Sequence, residues 1–329
     1  MLQLFKRNDV VGFAILVVVT FLLSLSYFVQ PPNIEVLGNF YKSSTGSFTW
    51  MKTVYSHHPR LYVFFSLLCW LAVSIYGKQV VVNLKLVPQR NFVPSIAILL
   101  SVFSMPMFFV LSVSGLAAIA LFIALGQILA TPYNKTARSR YFAIGAFIGI
   151  AAILYFPYCG MFLAAFIILL SMRLFVWQEI LALFFGALFP IYLIFMLHYI
   201  LVGEGFAFSP QALSVSLPTT LQMRPASILM LATALAVVVY GILISRKGIS
   251  GNKVQLTKKW NGLLVYFIFS MLVGLLTAIF PSHALILPAL CFSIILSSAL
   301  INNYQKYNTF TFYLILLVVL SLQWVVRFI

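Results

Sequence analysis

Apolar positions along this chain follow neither the strict alternation of a half-buried strand nor the narrow stripe of an amphipathic helix; they run on in blocks. Between charged or Pro/Gly-rich breaks the blocks fall at roughly 10–29, 61–77, 93–111, 115–131, 141–156, 158–172, 179–201, 225–245, 262–280, 284–301 and 309–326. A run of about 20 apolar residues is what the hydrocarbon core of a bilayer requires of a crossing helix. The pattern therefore predicts an all-α, polytopic helical membrane protein of about eleven transmembrane helices, with residues 1–329 forming a single integral membrane domain. Only two connections have real length, 30–60 and the basic segment 246–261, and no repeat of 20–50 residues is visible.

Composition sharpens this. The chain is 63% hydrophobic and only 7% charged, against about 25% charged in a soluble domain, and its mean hydropathy is +1.10. Twenty Lys and Arg face four acids, Asp9, Glu35, Glu179 and Glu204. Such a balance suggests nucleic acid until the cations are placed. They sit between apolar blocks instead of forming one basic face, so membrane lipid is the expected partner and nucleic acid is not.

A charge at the bilayer centre costs about 3 kcal/mol or more, so the charges mark the ends of crossings. With the N-terminus in the cytoplasm, fifteen cations fall inside: Lys6, Arg7, Lys78, Lys85, Arg90, Lys135, Arg138, Arg140, Arg173, Arg246, Lys247, Lys253, Lys258, Lys259 and Lys306. Five fall outside: Lys42, Lys52, Arg60, Arg224 and Arg327. That bias assigns the chain to a cytoplasmic (inner) membrane, multi-pass, N-terminus cytoplasmic and C-terminus outside, with 30–60 as an outer loop and 246–261 as a cytoplasmic one beside anionic headgroups. It also predicts a break at Phe156-Pro157-Tyr158-Cys159-Gly160. One long helix over 141–172 would put Arg138/Arg140 and Arg173 on opposite faces; two short helices of about 23 Å keep them together.

Smaller features follow the same logic. Val10–Val29 is longer than a signal-peptide core and no A-x-A-like site precedes Gln30-Pro31-Pro32, so an uncleaved first helix is expected. Trp50, Trp177, Trp260 and Trp324 lie near span ends, as an interfacial belt requires, whereas Trp70 is mid-span. Cys69, Cys159 and Cys291 read as small buried side chains. Asp9 and Glu179 suit helix N-termini, and Gly145 with Gly149 form a GxxxG that favours close helix packing.

In this topology all four histidines, His57, His58, His198 and His283, fall on the outer side, with Glu35, Lys52, Arg60, Glu204 and Arg224. Imidazoles and carboxylates can move protons, and guanidiniums grip phosphate in a bidentate fork. Arg60 and Arg224, with Lys52 and His283, form a candidate phosphate-binding set, and Glu35, His57 and His58 are candidate bases. A plainer reading stands beside it: Ser56-His57-His58-Pro59-Arg60 capping the second span while Arg60 snorkels to headgroups. Glu35 reads equally as an activating carboxylate or a solvated loop residue, and Glu204, between two glycines, as a turn residue. No ionisable residue sits mid-membrane, which disfavours ion-coupled transport. No Walker A, HExxH, GxSxG or DxD element is present, and no cofactor or metal is implied.

Three stretches give the chain its family likeness: Leu4-Phe5-Lys6-Arg7, the segment Leu86 to Pro94, and Gly149 to Pro157. It resembles a family of uncharacterised polytopic membrane proteins of the Bacteroidota. A hairpin of small residues, a basic turn at Arg173 and a long following helix over 141–201, with a long outer loop after the first span, are also similar to GT-C-type glycosyltransferases. That second resemblance implies a polyprenyl-phosphate-linked glycan substrate at the outer leaflet. Such enzymes usually carry one or more acidic catalytic residues in the first outer loop, often paired, and here Glu35 is alone. The competing expectations are a non-enzymatic membrane subunit or scaffold of an envelope assembly, and a lipid transporter or flippase.

Overall fold

The computed structural model describes residues 10–29, 31, 54–84, 92–103, 109–131, 137–172, 176–202, 254–276 and 285–302. Among these the regular structure is helical, with no strand. The helices are α1 (Val10–Val29), α2 (Pro59–Asn83), α3 (Val93–Phe103), α4 (Val113–Leu129), α5 (Arg138–Leu154), α6 (Met161–Met172), α7 (Trp177–Val202), α8 (Val254–Leu276) and α9 (Ile286–Asn302). The all-α class is as the apolar blocks predict. Two helices, Pro59–Asn83 and Trp177–Leu197, are long and apolar enough to cross a bilayer; the apolar stretches Gly12–Leu25, Val93–Phe103, Val113–Leu129, Phe156–Met172 and Ile286–Ser297 are shorter. The count of about eleven crossings stays an expectation from sequence.

Contacts between helix ends show how the chain threads. At one end the Phe13 ring of α1 lies 6.5 Å from Phe92, just before α3, and the Lys78 ammonium, late in α2, sits 3.2 Å over that Phe92 ring. At the other end Tyr27 of α1 stacks on Phe109 at 4.6 Å, and Phe103 of α3 stacks on Phe109 at 4.8 Å. Helices α1, α2 and α3 therefore alternate in direction. The guanidinium of Arg140, at the start of α5, donates to the Ala130 carbonyl after α4. Gly262, early in α8, lies against Leu129 of α4 and Ile168 of α6. The start of α5 and the end of α6 thus share one end of the bundle. The chain doubles back over a 3₁₀ turn, Phe156–Gly160, and residues 138–172 form a hairpin, as the placement of cations requires.

Polarity is inverted relative to a water-soluble domain. Thr20, Ser24, Ser66, Ser74, Ser95, Ser270, Ser293 and Ser297 are buried, while Phe21, Leu22, Phe65, Leu163, Phe185 and Leu197 each expose more than half of their surface. All of these hydroxyls but Ser95 bond back to carbonyls one turn earlier, for example Thr20 to Leu16 at 2.6 Å and Ser270 to Phe267 at 2.7 Å, and Ser95 donates across to the Ser74 carbonyl, so none of these donors needs water. Water would not tolerate so wide an apolar exterior; hydrocarbon does.

One stripe of α2 explains the middle of the fold. Tyr62, Ser66 and Trp70 recur every fourth residue and so share a helix face. The Tyr62 hydroxyl donates to the Leu111 carbonyl, the Leu111 amide donates to Ser66 at 3.1 Å, and the Trp70 indole donates to the Phe109 carbonyl at 2.9 Å. Phe109 and Leu111, ahead of α4, are thereby supplied with partners inside the core. Ser112 then caps α4, accepting from the Gly115 amide at 3.0 Å.

Several expectations need correction. The block 93–111 is not helical to its end: α3 covers Val93–Phe103, and Val110 and Leu111 lie outside any helix. The basic segment 246–261 is not all loop, because α8 begins at Val254. Leu256, Trp260, Leu263 and Phe267 recur at helical spacing and pack on the core, so Lys258 and Lys259 lower the hydropathy without ending the helix. Trp260 is consequently buried instead of lying in an interfacial belt, whereas Trp177 is exposed. Cysteine burial also divides: Cys291 is buried, Cys69 half-buried and Cys159 exposed.

The glycine pair packs as expected. A Cβ on Gly145 would strike the Leu183 carbonyl, one on Gly149 the Ala187 carbonyl, and one on Gly186 the Phe142 carbonyl. Helices α5 and α7 therefore touch backbone to backbone. Gly145→Leu must part them, and we expect a loss of about 1–3 kcal/mol or more in reversible unfolding from mixed micelles. Trp70→Phe, which keeps the ring but orphans the Phe109 carbonyl, should cost about 1 kcal/mol in the same measurement.

Candidate functional site

The described part of the candidate site is the entry to α2. A helical turn over residues 54–57 leads to His58 (φ −136°, ψ 66°), which leaves helical geometry just before Pro59. Proline disfavours the helical conformation at its predecessor and is itself suited to a first helical position. The turn is still tied to α2: the His58 amide donates to Val54 at 2.9 Å and the Tyr62 amide to His58 at 3.1 Å. Tyr55, buried, meets Tyr62 edge-on at 5.3 Å. Burial of that aromatic pair leaves Ser56, His57, His58 and Arg60 facing outward, all exposed. Ser56 and His57 lie within hydrogen-bond distance, Oγ to Nδ1 at 3.2 Å.

The arrangement suits an anion. Two imidazoles and a guanidinium stand at the N-terminal, positive end of a 25-residue helix. That end lies with Leu111 and Ser112, through the Tyr62 bond, and away from Arg140 and Lys78. Arg60, expected in the outer loop, belongs to the first turn of α2. Glu35, Lys52, Arg224 and His283 lie outside the described residues, as do Glu204 and Asp9; His198 is in α7, its side chain outside them. His57, His58 and Arg60 are therefore the members among the described residues, neighbours in the chain and all exposed. Among the described residues no three His, Cys, Asp or Glu side chains gather as a metal site would need.

At the opposite end one acid has a role that sequence reasoning only half identified. Glu179, in the first turn of α7, is 2% exposed, and its Oε1 accepts from the Ala137 amide at 2.9 Å. Ala137 is the N-cap of α5 and offers no side-chain cap of its own. The carboxylate thus caps a neighbouring helix as well as starting its own, and Arg138 adds a bond to the Gln178 side chain. The available signal was one acid surviving at the edge of an apolar block.

Comparison with protein-family models, with curated proteins and with solved structures gives no match.

Removing the Glu179 acceptor should loosen the junction of α5 and α7. We expect Glu179→Ala to cost about 1–2 kcal/mol in micellar unfolding, and Glu179→Gln, which keeps an oxygen acceptor, to recover part of it.

Proposed function

We propose that the chain is a GT-C-like cell-envelope membrane enzyme acting on a polyprenyl-phosphate-linked glycan at the outer leaflet. The supporting observation is the exposed His57-His58-Pro59-Arg60 entry to a membrane-length helix, where a lipid phosphate would meet a guanidinium and a helix dipole together. Arg60 and Arg224, assisted by Lys52 and His283, hold the phosphate. His57, His58 or Glu35 takes the proton of an acceptor hydroxyl as its oxygen attacks the anomeric carbon. The sugar–phosphate C–O bond breaks, and polyprenyl phosphate leaves carrying the electron pair, its charge met by the arginines.

A second reading, a non-enzymatic membrane subunit or scaffold, draws on α7. From Tyr192 to Leu197, and again at Tyr199 and Ile200, its side chains are exposed all round the helix, as suits a helix that docks another membrane protein. Alanine replacements separate the two readings. Arg60→Ala and Arg224→Ala each remove a charge-assisted phosphate contact of about 1.5–3 kcal/mol, equivalent to about a tenfold to hundredfold loss of transfer. Glycan analysis of the membranes should show the lipid-linked donor accumulating. Unchanged profiles in both variants would leave the scaffold as the better reading.

A further inference from the structure

Helices α5 and α7 are drawn together at the glycine seam, while α6 leaves the hairpin turn on a different line. A groove of about 340 Å³ opens where the three separate. Its walls include Ala152 of α5, Cys159 and Gly160 of the turn, Phe162 and Leu163 of α6, and Phe184 and Leu188 of α7. Phe162 and Phe184 meet edge-on across it at 6.3 Å. The groove contains none of the residues assigned above to phosphate or proton chemistry, and the inference stands or falls independently of sugar transfer.

We propose that this groove holds one acyl chain of a bilayer phospholipid as an integral part of the fold. Three observations carry the occupant. The walls offer no charged, hydroxyl or amide side chain, the Cys159 thiol being a weak donor at most, and an ordered water needs two to four polar partners, so water does not fill it. An empty groove forfeits the dispersion contacts of every wall atom, which in a bilayer are the main force between helices. Finally, Leu163 and Leu188 on the walls are 58% and 44% exposed and belong to the same apolar exterior as Phe185 and Tyr192. The groove is continuous with the surface suited to lipid.

The test uses the full chain in nanodiscs of phosphatidylcholine whose acyl chain carries a photoreactive diazirine. Irradiation and peptide mass spectrometry should find adducts concentrated on Ala152, Phe162 and Leu163 relative to outward-facing Phe185 and Tyr192. Ala152→Phe, which fills the groove, should lose the adducts at Phe162 and Leu163. Leu163→Ala, which leaves it open, should keep those at Ala152 and Phe162. Where Ala152→Phe fails to fold by gel filtration, Leu163→Trp covers the mouth from outside and should cause the same loss. Adducts spread evenly over walls and exterior would overturn the proposal. So would crosslinks from a photoreactive phenylalanine analogue placed at position 162 to a second copy or to residues 203–250, which would assign the groove to protein.

Discussion

Inside hydrocarbon no water waits to take a hydrogen bond, so any stretch of chain that leaves the helix must find its partners in the protein. The segment between α3 and α4 meets that demand through α2. Tyr62 and Trp70 supply donors and Ser66 an acceptor to Phe109 and Leu111, and Ser112 caps the helix that follows. Remove that supply and the backbone groups of Phe109 and Leu111 lose these partners at the entry to α4. The same hydroxyl economy recurs elsewhere: Tyr266 of α8 donates to the Leu121 carbonyl of α4 at 2.9 Å, and Ser95 of α3 to the Ser74 carbonyl of α2 at 2.9 Å.

The two ends of the bundle differ in chemistry. One carries the capping carboxylate of Glu179, the guanidiniums of Arg138 and Arg140, and the start of α8 with Lys258 and Lys259. The other carries the histidines and Arg60 at the mouth of α2, held by a buried tyrosine pair. Between them the helices expose phenylalanine and leucine outward and turn serine inward. Function on such a scaffold belongs to the ends and to the seams where helices part, because mid-helix surfaces offer a ligand only hydrocarbon.

Much of this was legible in the residues. Block length predicted helices, cation placement predicted the 138–172 hairpin, and Gly145/Gly149 predicted a tight crossing; each follows from a local or one-dimensional rule. What escaped needed the third dimension. Trp70 is anomalous in a list of span ends and explicable only once Phe109 is beside it. Lys258 and Lys259 masked a helix whose core-facing residues, Leu256, Trp260, Leu263 and Phe267, were spaced correctly all along. Glu179 looked like a dipole partner for its own helix, and its bond to Ala137 crosses 42 positions of sequence. Of the candidate site, only the cluster at 57–60 was legible as a unit, because its members are neighbours in the chain.

The central claim is that α2, α3 and α4 run in alternating directions, which puts the mouth of α2 and the start of α5 at opposite ends of the bundle. In a background with Cys69, Cys159 and Cys291 replaced, single cysteines at Ser56 and at Ser139 can be challenged with a membrane-impermeant maleimide in sealed vesicles of known orientation. The account predicts that right-side-out vesicles label position 56 and spare 139, and that inverted vesicles do the reverse. Labelling of both positions from the same side would contradict it.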